Sequence, residues 1–365
     1  MRTRIDMSNK RSISTGGFLL VLMLLSLSPL STVDEQDPDY IITRIDFILA
    51  ETYPDLDDKL DYPPDCTVIR IFKQEREAEI WAKDASRDSL ALIMTLPIAS
   101  MDFQPGPKLK QGDGKTPEGF YYASFAWYSS NWFMWIDLDE VKTRGEVGKG
   151  SPFRICLDYP NGLDRQRTVS VGFSDPGGAI CVHGNEVSIG CVSFANKDFL
   201  PVYAFCRHHD RAEYGQIQFH IFPFRLDTEA DFSTKINNYR HSAAFPSEVL
   251  LDFWQNLKTG YDLFQTTKIP LKFKTNREYF RLADINENII AIKEFLAEQG
   301  YYSGAADNLF GNDLKVAVIE FQRDNRLEPD GIIGSRTLAR MQELGLGKNY
   351  KGYIFTNRNR RNIVD

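Results

Sequence analysis

Only one long hydrophobic run occurs in these 365 residues, Phe18 to Leu30, and at about a dozen apolar residues it is shorter than a bilayer-spanning helix requires. A polytopic membrane protein is therefore excluded. Positive charge is not in excess: Lys and Arg number 43 against 50 Asp and Glu, and the net charge of −7 offers no global attraction to a polyanion. Nucleic acid is excluded as a partner on that ground. Cysteine is scarce, at five, with no C-x-x-C pair, and none of the five histidines lies at zinc-like spacing from two cysteines. The sequence calls for no metal and no cofactor. What it does hold is 42% hydrophobic and 13% aromatic residues, enough to pack two folded domains.

The run at 18–30 follows a basic start, with Arg2, Arg4, Lys10 and Arg11 against Asp6, and precedes a polar stretch rich in Asp, Glu and Pro. That is the layout of an export signal over 1–31, cleaved or retained as an anchor, which would direct the chain to the periplasm or cell envelope. A buried hydrophobic helix is the alternative. In an oxidising compartment an odd cysteine count leaves at least one thiol unpaired within the monomer.

Residues 32–66 read as a spacer, helical over YIITRIDFILAETY and closed by Pro63 and Pro64. From 67 to 226 the texture is β-rich: TVIRIFK, AEIWAKD, SLALIMTLPI, FYYASFAWY, FRICLDY, TVSVGFS, AICVHG and QIQFHIFPF. One helix interrupts it, from Asn196 through Cys206, with Pro201 expected to delay its start. Residues 227–283 form a connector whose short amphipathic helix, VLLDFWQNLKTGYDLF, should pack on the β domain. At 284 the apolar period becomes 3.6. Ile289, Ile292, Phe295 and Leu296, then Leu314, Val318 and Phe321, then Leu338 and Met341 with Leu344 line three helices within 284–346. The fold class is α+β, a mostly β domain followed by a small three-helix bundle, and 347–365 is a solvated basic tail. Asp307 to Gly311 and Asp330 to Gly334 repeat one pattern before the second and third helices, read either as a duplicated helix start or simply as good capping.

The segment that carries chemistry is Val182-His183-Gly184-Asn185-Glu186-Val187-Ser188-Ile189-Gly190-Cys191-Val192. A cysteine attacks a carbonyl as its thiolate, and an imidazole lowers the pKa that stands in the way. A strand delivering His183, a turn at Gly184-Asn185 and a return through Ser188 would set Cys191 beside it. Gly190 would let backbone approach a substrate carbonyl, and amides near Gly190 and Cys191 would face a tetrahedral oxyanion. A core histidine with a buried, inert cysteine is the alternative at this spacing.

His183-Gly184 followed by Ser188-Ile189-Gly190-Cys191 resembles the signature of the YkuD-type L,D-transpeptidase domain, in its short-gap, YafK-like branch. Gly106-Pro107-Lys108, Gly112-Asp113, Thr116-Pro117-Glu118-Gly119-Phe120, His220-Ile221-Phe222-Pro223-Phe224 and the block Phe253 to Tyr261 are similar to the same branch, so the resemblance covers about 66 to 265. Residues 286–345 resemble the three-helix peptidoglycan-binding module attached to such enzymes. The resemblance implies a β-rich domain in which Cys191 attacks the amide after the L-centre of meso-diaminopimelate. His183 would act as base, a thioester would form, and an amine or water would resolve it. Gly184, Ser188 and Gly190 would shape the site. In two places the chain departs from the family pattern: Ile189 stands where a second histidine is common, and Ser193 where Arg or Asn follows the cysteine.

Further candidates for substrate contact are His220, in place of the second histidine, Ser193, and the polar loop residues Lys108, Asp113, Thr116 and Glu118; a sheet-edge histidine and an ordinary turn-rich connection are the alternatives. Cys181 shares a strand face with His183 by its period of two, as a redox partner of Cys191 or as a small buried residue. The expected partners are peptidoglycan stems and the sacculus. Transfer to an amine, hydrolysis of the same bond (an L,D-carboxypeptidase, or an amidase freeing a protein linked to diaminopimelate) and non-catalytic wall binding through 286–345 are the three functions to separate.

Overall fold

The computed structural model describes residues 50, 53–54, 64–83, 88–123, 135–136, 151–152, 154–207, 217–227, 229–240, 247–273 and 279–347. The export segment, nearly all of the spacer and the basic tail after Gly347 lie outside them. The chain divides into two compact units, Met1–Arg44 and Ile45–Asp365, and all that follows concerns the second. Among the described residues no helix is long and apolar enough to cross a membrane.

A five-stranded sheet in the order β3-β2-β1-β10-β4 forms the frame. β1 (Cys66–Phe72) is buried at all seven positions, as a central strand covered on both faces must be. It pairs antiparallel with β2 (Glu77–Lys83) and parallel with β10 (Ile217–Phe222), in the register Arg70 opposite His220. β3 (Ala91–Pro97) and β4 (Gly119–Tyr122) close the two edges by antiparallel pairing. A short antiparallel pair, β5 (Trp135–Ile136) and β6 (Ser151–Pro152), stands apart. The sheet that matters for function is smaller: β7 (Arg154–Cys156), β8 (Cys181–His183) and β9 (Val192–Ser193), antiparallel then parallel. Isolated bridges from Ala123 to Leu157 and from Ser100 to Ser193 tie it to the frame.

Two helices interrupt the β region where one was expected. α1 (Gly162–Ser170) starts on a capping box, Asn161 accepting from the Asp164 amide while the Asp164 carboxylate accepts from the Asn161 amide. The reading of TVSVGFS as a strand is overturned, because Thr168 to Ser170 are the last turn of α1 and the rest is a turn. Its buried side is polar, Asp164, Arg167 and Thr168, so no apolar period announced it. α2 (Asn196–Arg207) runs through Pro201 without the expected delay. Its Phe199, Val202, Ala204, Phe205 and Cys206 are fully buried.

The connector holds α3 (Glu229–Arg240) and α4 (Ser247–Thr267), the latter twenty-one residues rather than short. α4 packs Trp254, Leu257 and Tyr261 against Phe72, Phe120 and Phe222 of the frame. Gly260 is required there, since a Cβ would come within 2.2 Å of the Phe120 ring. Buried Arg70 of β1 meets the same helix with its guanidinium 4.4 Å from the Tyr261 ring centroid and 4.5 Å from that of Phe264.

α5 (Asn288–Glu298), α6 (Asn312–Asp324) and α7 (Ser335–Glu343) share one apolar cluster built on Ile292, Phe295, Leu314, Phe321, Leu338 and Met341. The repeated pattern before α6 and α7 is repeated in space: Asp307 accepts from the Leu309 amide at 2.7 Å and Asp330 from the Ile332 amide at 2.8 Å. Lys293 of α5 holds the first aspartate and Gln322 of α6 the second. Gly311 and Gly334 have extended backbone at the helix N-caps, and in the second copy Gly331, at φ 70°, takes the left-handed conformation. The boundary drawn between 283 and 284 is crossed by the parallel pair β11 (Lys272–Phe273) and β12 (Asp284–Ile285), and Ile285 and Leu309 join the apolar cluster around Trp254.

Candidate active site

β8 and its neighbours place the candidate residues in two rows on one face of the small sheet. Register puts Arg154, His183 and Ser193 side by side across β7, β8 and β9. The next row is Cys156 opposite Cys181, and one residue before β9 begins, Cys191 extends it: the Cys181 amide donates to Cys191 Sγ at 3.4 Å. Directly paired residues project to the same face, as do residues two apart on one strand. Cys181 is not a free partner for Cys191, because it is bonded to Cys156. That disulfide fastens β7 to β8 next to Cys191. Cys66 and Cys206 are free and buried, and Cys191 is the free thiol with partial exposure.

The 184–191 loop is held by short contacts. Ser188 Oγ donates to the Cys191 carbonyl at 2.6 Å and accepts from the Gly190 amide at 3.0 Å. Ser188 therefore shapes the loop, and the Gly190 amide, expected to face an oxyanion, is already used. The Cys191 amide makes no hydrogen bond among the described residues. Gly190, at φ 132°, lies where a Cβ would approach the Lys115 carbonyl to 3.0 Å, so both conformation and space demand glycine. At Gly184 a Cβ would meet Asn196 Oδ1 at 2.4 Å, the same oxygen that accepts from the Asn185 amide. Val187 and Ile189 stand out on this loop as exposed apolar side chains.

His183 Nδ1 lies 2.6 Å from the Gly184 carbonyl, which can only accept, so Nδ1 carries the proton and Nε2 is left as the basic nitrogen. Burial, partly offset by that carbonyl and reinforced by Arg154, pushes the imidazole down to about 4. Burial also raises the Cys191 thiol, against the Cys181 amide and the cations Arg154 and Lys108. The expectation that imidazole would hold Cys191 as a thiolate is thus corrected: both groups rest neutral, and no hydrogen bond joins them among the described residues.

Of the other candidates, Ser193 gives its hydroxyl to the loop, and the rest do not bond to it among the described residues. Ser193 is fully buried and donates to the Gly184 carbonyl at 3.0 Å, sharing the acceptor that orients His183. Lys108 pairs with Asp113 at 2.7 Å. Burial alone would raise the Asp113 carboxyl, but Lys108 and the amides of Lys110, Leu109 and Lys115 outweigh it and hold it below the usual range. Thr116 Oγ1 accepts from the Asp102 amide. Glu118, fully buried, accepts from Lys73 Nζ, the Gly106 amide and Trp254 Nε1. These four residues build the loop wall that carries the Lys115 carbonyl to Gly190. His220 belongs to the main-sheet interior, its ring edge-on to Phe120 and Phe264 and its Nε2 on Gln218, with no contact to Cys191. It is neither a second active-site histidine nor a sheet-edge one. A cavity of about 260 Å³ opens elsewhere, between α1, β4, α4 and the turn carrying Asp307, and neither Cys191 nor His183 lines it.

Sequence reading missed Arg154 and Asn196. Arg154 reaches the site from a distant segment through the strand register, and Asn196, shortly after Cys191 in the chain, through the packing of the 184–191 loop.

A partly exposed cysteine and a backbone-oriented histidine on one small sheet, followed in the chain by a helical bundle, make this an α+β protein with a candidate cysteine site, and comparison with known proteins specifies its family. Residues 286–341 match the family described as "Putative peptidoglycan binding domain". The chain is 30% identical over 205 residues to the "Putative L,D-transpeptidase YafK" of Escherichia coli K12, covering 55% of this chain and 68% of that protein, and the O157:H7 protein gives the same figures. The chain belongs to the YafK-like L,D-transpeptidase family and carries a C-terminal peptidoglycan-binding domain. Among solved structures, the helical cell shape determining protein Pgp2 of Campylobacter jejuni aligns at 17% identity and a TM-score of 0.29, over 63% of this chain and 80% of that one. Bd1075 of Bdellovibrio bacteriovorus aligns at 18% and 0.27, over 49% and 58%.

Proposed function

We propose that the protein is a cysteine-dependent acyltransferase acting on meso-diaminopimelate-containing peptidoglycan stems. The observation that carries this is the arrangement of Cys191 and His183 on one sheet face, with Nδ1 engaged by the Gly184 carbonyl and Nε2 left as base. Cys191 Sγ bonds to the carbonyl carbon of the stem amide while its proton passes to His183 Nε2. The Cys191 amide stabilises the oxyanion. Collapse breaks the carbon–nitrogen bond, the proton goes to the leaving amine, and a thioester remains on Cys191. An acceptor amine then attacks the thioester, gives its proton to His183, and releases the thiol. Partial exposure of Cys191 gives water a route to the same thioester, so hydrolysis, including release of a protein held through diaminopimelate, is the second reading. The C-terminal domain keeps the site at the sacculus and raises the local substrate concentration. The disulfide Cys156–Cys181 accords with work outside the cytoplasm, in the periplasm or envelope.

The pH profile tests the proton route. With His183 at about 4, the base stays unprotonated across neutral and mildly acidic pH. The expected kcat/KM toward soluble muropeptides is flat on that side and falls only as pH approaches 4. An acid limb at the ordinary histidine value would remove His183, as placed here, from the proton transfer.

A further inference from the structure

Among the described residues, Lys108 and Lys115 near the candidate active site are neutralised at short range, and Arg154 is not. Lys108 is closed off by Asp113 at 2.7 Å and by the Lys110 carbonyl, and Lys115 is tied to Asp102 at 3.2 Å. Arg154 differs. Among the described residues its buried Nε has no hydrogen-bond partner and its guanidinium forms no ion pair. It stands directly opposite His183 in the β7–β8 register, and the disulfide two residues further along β7 holds that register beside Cys191. A guanidinium presents five donors in a fixed fork shaped for a carboxylate, and leaving a part-buried one unanswered is costly unless a ligand completes it. It is close enough for its charge to act on both His183 and Cys191. Ser193 completes the row on the far side of His183 but spends its hydroxyl on the Gly184 carbonyl, so that edge offers no anion contact.

We propose that Arg154 is the anion-binding group of this site, receiving a carboxylate of the peptide stem next to the amide that Cys191 attacks. The assignment rests on the reading of Cys191 as nucleophile. Arg154 then sets register and selects for acid over amide at that position of the stem.

The test compares alkylation of Cys191 by iodoacetate and by iodoacetamide, two reagents that differ in carrying a carboxylate or a neutral amide. Cys66 and Cys206 are buried and Cys156 and Cys181 are bonded to each other, so alkylation of the folded protein reports Cys191. At one fixed alkaline pH, Arg154→Gln should lower the iodoacetate-to-iodoacetamide rate ratio by about tenfold, the worth of one charge-assisted hydrogen bond. Arg154→Lys should lie between. Equal slowing by both reagents would mean that Arg154 acts only on the thiol and would overturn the proposal, as would an unchanged ratio. Affinity of the Cys191→Ala protein for a stem tetrapeptide, with and without Arg154→Gln, reads the same contact without the sulfur. About tenfold weaker binding is expected, and equal affinities would overturn the assignment. A Cys191 inert to both reagents, with binding still dependent on Arg154, would count against the nucleophile and not against the anion site.

Discussion

Cys191→Ala is expected to reduce turnover of muropeptides by roughly ten-thousandfold or more, the scale seen when a covalent nucleophile is removed. No other thiol can substitute. Cys66 and Cys206 are buried, with burial pushing the Cys66 thiol up to about 12, and the remaining two cysteines are bonded to each other. The sulfur's own contacts, the Cys181 amide at 3.4 Å and the Ala179 carbonyl at 3.7 Å, are long and weak. The melting temperature should therefore stay within about 2 °C of the parent. A folded variant that keeps its activity would eliminate the acyl-enzyme.

Glu118→Ala has the second-largest expected effect, and it is on stability. The carboxylate sits at zero exposure between Lys73 at 3.2 Å, the Gly106 amide at 2.7 Å and the Trp254 indole at 2.8 Å, so it joins β1, the loop wall and α4 at one point. Removing it leaves Lys73 with Asp102 as its remaining carboxylate and strands a buried amide and an indole. Breaking a buried pair in this way costs about 3 to 5 kcal/mol, or roughly 10 °C for a domain of this size. Thermal unfolding distinguishes this role from substrate contact, which would leave the melting temperature alone and raise KM.

Much of the frame could be read from the chain. β1 to β3, β8 and β10 are apolar β-type runs bounded by turn residues, and α5 to α7 show the 3.6 period because one face of each meets a shared apolar core. α1 could not be found that way. Its inward face is Asp164, Arg167 and Thr168, satisfied by Tyr121, by Asp164 itself and by the Leu109 carbonyl, so burial there is polar and leaves no hydrophobic period. Its one sequence signal is the Asn161-to-Asp164 capping box, easily outvoted by the β-branched residues that follow.

The candidate site divides along the same line. His183, Gly184, Ser188, Gly190 and Cys191 lie in one short segment, and their local chemistry singles them out. The polar loop 108–118 invited a substrate role by composition, yet its side chains are spent on one another and on buried backbone, which composition does not reveal. The strand that carries His220 reads as one running beside the site, whereas it lies inside the main sheet between β1 and β4. Arg154 went unnoticed for the converse reason: a lone arginine in a short strand acquires meaning only once register sets it opposite His183.

The measurement that bears most directly on the central claim is intact-mass analysis of the purified protein with muropeptides, with and without a free amine. The expected result is an adduct with the mass of the acyl stem, confined to Cys191 on peptide mapping, absent in Cys191→Ala and discharged faster when the amine is added. Discharge at an unchanged rate, with free stem as the sole product, would assign the same thioester to hydrolysis. Turnover of muropeptides with no covalent adduct at Cys191, even after rapid acid quenching, would contradict the cysteine mechanism itself.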